Sequence, residues 1–105
     1  MTDAGLPSYD LLEVQFLVRL GRFDLSAEVT RTMSRDDLDR ALLHRCFESL
    51  SPADFHKTMP SERDERTLLD VYRPFLGRQR LYLKFKTLPD GAGVFILSFK
   101  KDTSR

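Results

Sequence analysis

Arg80-Leu81-Tyr82-Leu83-Lys84-Phe85-Lys86-Thr87-Leu88, then Pro89-Asp90-Gly91-Ala92-Gly93, then Val94-Phe95-Ile96-Leu97-Ser98-Phe99-Lys100, is the stretch that decides the fold. Strict alternation in the first run puts Leu81, Leu83 and Phe85 on one side of a strand and Tyr82, Lys84 and Lys86 on the other. Pro89–Gly93 has strong turn chemistry. In the last run, alternation predicts Val94, Ile96, Ser98 and Lys100 on one face, with Phe95, Leu97 and Phe99 on the other. Two such runs joined by a short Gly-rich loop form a β-hairpin.

Upstream of the hairpin, Gly77-Arg78 reads as a turn. Thr67–Leu76 reads as a strand that Pro74 confines to an edge or an irregular end. Before it, Ser51 as cap, Pro52 at the first helical position and Asp54 in the first turn predict a short helix. It carries Phe55, His56, Lys57 and Met59 until Pro60 stops it. A longer helix is expected to open at Ser34, with Asp37 three residues on, and to carry Leu38, Leu42, Cys46 and Leu50 on one stripe. The first helix spans Asp10 to Leu20, capped by Asp10 and ended by Gly21. Arg22–Thr30 reads equally as a strand or an irregular connection, and residues 1–8 as a loose arm. Helices first and antiparallel strands later predict an α+β domain, with N-terminal helices packed on an antiparallel sheet.

The chain has 105 residues, which fits a single domain over 1–105 with one modest core. No apolar run approaches the roughly 20 residues of a membrane helix. The opening MTDAGLPSYD lacks the basic flank and apolar core of a signal peptide. Cys46, the one cysteine, cannot form an internal disulfide, and a reducing, cytoplasmic setting is the simplest expectation.

Net charge is only +1, yet residues 1–54 hold six basic and ten acidic groups and residues 55–105 hold eleven and six. From Tyr72 to Arg105 there are eight basic residues and two acidic ones, interleaved with aromatics. That pattern suits a phosphate backbone; an ordinary solvated sheet face carries the same residues. His44 and His56 lack metal-ligand spacing, and there is no HExxH, CxxC, phosphate loop or nucleophile elbow. Neither a metal nor a cofactor is expected. Lysine, tyrosine and histidine suit RNA cleavage without a metal, which needs a base for the 2′-hydroxyl, cations for the phosphorane and a proton for the leaving oxygen. Composition leaves this as one option among several.

Four ordered segments narrow it: Leu50–Met59 (LSPADFHKTM), Asp70-Val71-Tyr72-Arg73-Pro74, Leu81-Tyr82-Leu83-Lys84 and Leu97-Ser98-Phe99-Lys100. Together they resemble the MqsR family of bacterial toxins, ribosome-independent mRNA interferases paired with an MqsA-type antitoxin. The resemblance covers roughly residues 42–101 and implies a RelE-like fold. It also implies cleavage of single-stranded mRNA within a type II toxin-antitoxin system. The implied partners are mRNA and an MqsA-like antitoxin, with neither a membrane nor direct DNA binding. The family's active-site lysine, tyrosine and final lysine are matched by Lys57, Tyr82 and Lys100. Its glutamine position holds Leu69, and an aromatic position holds His56, a candidate acid or base. Lys84, Lys86 and Arg73 are candidate RNA contacts; Arg73 has a structural alternative, pairing with Asp70. Leucine at 69 also keeps a second reading open, a weak or inactive homologue that binds RNA or antitoxin.

Overall fold

The computed structural model describes residues 6–103. Arg105 and the first five residues of the expected loose arm lie outside that range. Helix α1, Leu11–Arg19, is capped by the Asp10 side chain accepting from Leu12 N. It ends as expected at Gly21, which adopts φ 80 while Arg22 N donates back to Leu17 O at 2.9 Å. Ser8 is not loose: its amide and that of Tyr9 both donate to Asp70, each at 2.9 Å.

The open stretch after Arg22 resolves into strand β1, Phe23–Leu25, and helix α2, Ala27–Arg35, capped by Ser26. Ser34 therefore lies inside a helix and starts none, which corrects the long helix expected from that position. Asp37 takes φ 60 and Leu38 N donates to Met33 O at 2.8 Å, closing α2 with a left-handed turn. Helix α3, Arg40–Ser49, starts afresh on Asp39, whose side chain accepts from Leu42 N. The Ser34-Asp37 spacing imitated a cap, but the stronger acceptor geometry belongs to Ser26 and Asp39.

A second correction falls at Phe55–Pro60, which is strand β2 and not a helix. Ser51, Pro52 and Asp54 do open a turn with a capping box, but it lasts only Pro52–Asp54. Beyond it the chain pairs with β3, Leu68–Tyr72, in antiparallel register. Ladder bonds to a long-range partner outweigh a helix too short to propagate by itself. Pro74 separates β3 from β4, Phe75–Leu76, and its carbonyl accepts from Leu81 N at 2.8 Å. Strands β5, Gln79–Thr87, and β6, Val94–Lys101, form the expected hairpin.

The sheet runs β1-β6-β5-β3-β2, with β4 paired to β5 beside that path. The expected antiparallel sheet is present in β2, β3, β5 and β6, and β1 adds a parallel edge on β6. At Gly93 a side chain would stand 2.8 Å from Arg22 O, so only glycine lets β1 approach β6 this closely. Past β1, helix α2 covers the β6 edge: Thr32 Oγ1 donates to Phe99 O and Asp36 accepts from Lys101 N.

Val14, Leu17, Val29, Met33, Leu43 and Phe47 from the helices share one core with Leu81, Leu83 and Phe85 from the sheet. Cys46 is a buried member of it, its thiol pushed up to about 12 by burial. The architecture is α+β, with helices on one sheet face, consistent with a RelE-like arrangement. The alternation expected in β6 breaks at Leu97. Lys84 pairs with Ser98, yet Phe85 pairs with Ile96, so Leu97 is the extra residue of a bulge. Val94, Ile96 and Phe99 thus all join the core, whereas simple alternation had separated Phe99 from the other two.

Candidate functional site

Directly paired residues project to the same side of an antiparallel sheet, so the register orders the helix-free face into rows. One row reads Lys57, Val71, Lys84, Ser98 across β2, β3, β5 and β6. In the next, Tyr82 pairs with Lys100, and continuing the β3–β5 register by one step sets Arg73 across from Tyr82. Beyond the first row, on the same face, lie Met59 with Leu69, and Lys86 with Phe95. Lys57, Tyr82, Lys84, Lys86, Lys100 and Arg73 therefore share one face.

They are spread across β2, β5 and β6, with Arg73 just past β3. Tyr82 and Lys100 are direct neighbours, with the Lys100 ammonium 5.4 Å from the Tyr82 ring centroid. Lys57 lies three strand spacings from Lys100, about 14 Å at the backbone. Lys84, Tyr82, Lys100 and Ser98 line a groove of ≈ 470 Å³. Lys86 points elsewhere: its ammonium sits 5.8 Å from the Phe95 ring centroid, at the sheet end near Pro89–Gly91.

His56 and Lys57 are both exposed, and His56 sits where the β2–β3 register slips. Desolvation first, then the Arg73 and Lys57 cations, hold the imidazole below the ordinary histidine value. It is the neutral ring, an acceptor, that this setting favours at neutral pH. Tyr82 shifts the other way: partial burial and then the Asp102 carboxylate raise its phenol, which keeps the hydroxyl as a donor. The acceptor and the donor thus come from different strands, β2 and β5.

Arg73 does not pair with Asp70. Its Nε donates to Asp102 Oδ2 at 2.6 Å, with side chains 23% and 5% exposed. Asp70, fully buried, is already occupied by Ser8 N, Tyr9 N and the Thr58 hydroxyl. Leu69 is 3% exposed and, with Val71, stands outside the helix-facing core. These two give the basic face an apolar floor, without a polar group at position 69.

Sequence reasoning missed Arg35, which lines the Tyr82–Lys100 groove from α2. It also missed Asp102 and Arg80. Arg80 alternates with Tyr82 and was legible on that ground; Asp102 follows the last strand and carries no local signal. Tyr72 packs in the core, stacked on Phe85 at 5.6 Å and 13°. His44 packs edge-on to Phe23. Among the described residues, no three His, Cys, Asp or Glu side chains group as metal ligands, and no helix is long and apolar enough to cross a membrane.

Residues 6–101 match the family model described as motility quorum-sensing regulator, toxin of MqsA. The chain is also 32% identical over 95 residues to the mRNA interferase toxin MqsR of Escherichia coli (strain K12), covering 90% of this chain and 94% of that protein.

Proposed function

The chain belongs to the MqsR toxin family, and from that premise we propose that it is a metal-independent endoribonuclease acting on single-stranded mRNA. The observation that carries the reading is the row Arg73, Tyr82, Lys100, with His56 at the β2 register slip, near enough to the Arg73 and Lys57 cations for both to lower its pKa. His56 and Tyr82 stand about two strand spacings apart, roughly 10 Å at the backbone, which leaves room for a phosphate between their side chains.

In this reading neutral His56 takes the proton of the 2′-hydroxyl as O2′ bonds to phosphorus. Lys57 stabilises the charge that grows on the non-bridging oxygens on the β2 side, and Lys100 does so on the β6 side. The bond from phosphorus to O5′ breaks, and Tyr82 supplies a proton to the leaving oxygen. The products are a 2′,3′-cyclic phosphate and a 5′-hydroxyl. Lys84, Lys86 and Arg73 bind the flanking backbone. An MqsA-like antitoxin is the protein partner, the cytoplasm is the setting, and the single domain works without a cofactor.

Leu69 favours a second reading, because leucine offers a phosphate no hydrogen bond: the face binds RNA, or the antitoxin, with little or no turnover. One experiment separates the two. Single-stranded mRNA is incubated with the protein in EDTA and the fragment ends are analysed. The enzyme reading expects cyclic phosphate ends, lost in Lys57→Ala and Tyr82→Phe. Intact RNA with the wild-type protein overturns it, and saturable RNA binding without turnover supports the second reading.

A further inference from the structure

Phe75 stands on the basic face with more than half its surface, 56%, open to solvent. Leu6, Leu12, Phe16 and Leu20, also exposed, belong to the N-terminal arm, α1 and its C-cap, and Leu68 opens β3. By strand alternation Leu68 shares its side with Asp70 and Tyr72, the helix-facing side. Among the described residues, Phe75 is thus the one large exposed apolar side chain on the basic face.

Its placement is built by the fold. The two-residue turn Gly77-Arg78 folds β4 back on β5, pairing Phe75 with Arg80 and Leu76 with Gln79. Leu76 packs on the core, so the alternation of a strand turns Phe75 the other way. The Arg80 guanidinium lies 4.3 Å from the Phe75 ring centroid, which holds one side of the ring against a cation. Arg73 and Tyr82 form the neighbouring pair of the same register, about 6.7 Å away along the strands. That is the scale of one nucleotide step in an extended chain.

At 56% exposed, Phe75 gains little from burial. Beside a row of cations it offers a π-face at the height where a base next to a bound phosphate would lie, and aromatic side chains are the common platform for unstacked bases. We propose that Phe75, backed by Arg80, is a nucleobase-stacking subsite, holding the base one nucleotide away from the phosphate bound at Tyr82 and Lys100. This rests on the RNA reading above and adds a residue that fixes the register of the strand on the sheet.

The test uses a single-stranded 2′-O-methyl oligonucleotide, which cannot be cut through its 2′-oxygen, and a set of copies each with one abasic nucleotide. Affinity is read by fluorescence anisotropy, with thermal melting to confirm that each variant is folded. The wild-type protein should lose about tenfold in affinity at one abasic position. Phe75→Ala should bind the intact strand about tenfold more weakly and be indifferent to that same position. Phe75→Trp should restore both affinity and sensitivity. If the wild type binds and Phe75→Ala binds equally well, or keeps the same abasic profile, the stacking subsite is overturned while the RNA reading stands. If the wild type shows no salt-dependent affinity for any of these strands, both fall.

Discussion

Arg73 and Asp102, 29 positions apart in the chain, meet at 2.6 Å through Arg73 Nε and Asp102 Oδ2. The contact ties the segment after β6 to the end of β3, and the Asp102 amide adds a bond to Arg80 O at 2.9 Å. It also sets a carboxylate inside an otherwise cationic row. The opposing effects on stability and on RNA affinity make this pair informative. Asp102→Asn should lower unfolding stability by about 2 kcal/mol, the worth of a hydrogen bond to a charged group. The same variant should bind single-stranded RNA more tightly, with a log–log salt slope steeper by about 0.7 if Arg73 turns to a phosphate. Urea titration and anisotropy at several salt concentrations check the two halves; unchanged RNA affinity would place the pair outside the binding face.

Asp70 is the counterpart on the helix-facing side. Ser8 N, Tyr9 N and Thr58 Oγ1 all donate to it, the last at 2.7 Å. Removing a buried acceptor leaves three donors without a partner, so Asp70→Ala should cost about 3 kcal/mol. Amide exchange at Ser8 and Tyr9 should accelerate well beyond the global change, because these two bonds hold the arm against the sheet.

The pH dependence of cleavage follows from His56. The proposed base must be neutral, so activity is present above its pKa in the folded protein and falls as pH drops through it. Its value is held below the ordinary histidine value, which is about 6.5. The acid limb of kcat/KM should therefore inflect below about 6.5. His56→Ala should abolish that limb and slow cleavage at least about 100-fold. An inflection above 6.5, or a limb that survives the substitution, assigns the base elsewhere.

Leu69 should be a brake on catalysis. It is buried in the apolar floor beside Met59, one row from Lys57. Leu69→Gln supplies a donor and an acceptor there, and should raise the single-turnover cleavage rate by about tenfold. The buried amide should cost about 1 kcal/mol of stability. A rate that stays flat or falls would mean that the face already works around leucine.

Local chemistry is legible where it acts over a few residues. Asp10 and Gly21 bound α1 because capping and left-handed φ are decided within one turn. Leu81, Leu83 and Phe85 are buried and Tyr82, Lys84 and Lys86 are not, because strand alternation needs no knowledge of the partner. The shared face of Tyr82 and Lys100 was not legible in the same way, because it needs the Leu97 bulge to take Lys100 off the side of Val94 and Ile96. Helix α2 escaped notice because its buried stripe is only Val29, Thr32 and Met33 in an otherwise polar run.

The amino-acid sequence by itself determined the α+β class, the β5–β6 hairpin, the first helix and the residue types available for phosphate chemistry. Tertiary structure alone decided that Phe55–Pro60 is a strand, that Leu97 bulges, that β1 adds in parallel and that Arg73 chooses Asp102 over Asp70. These outcomes depend on hydrogen-bond ladders and ion pairs between segments far apart in the chain. A short segment's own preferences are worth a few tenths of a kcal/mol per residue. A paired edge supplies or denies a partner to every backbone group along it. The distance between Lys57 and Lys100 belongs to the same class: strand order sets it, and strand order is written in no single stretch of the sequence.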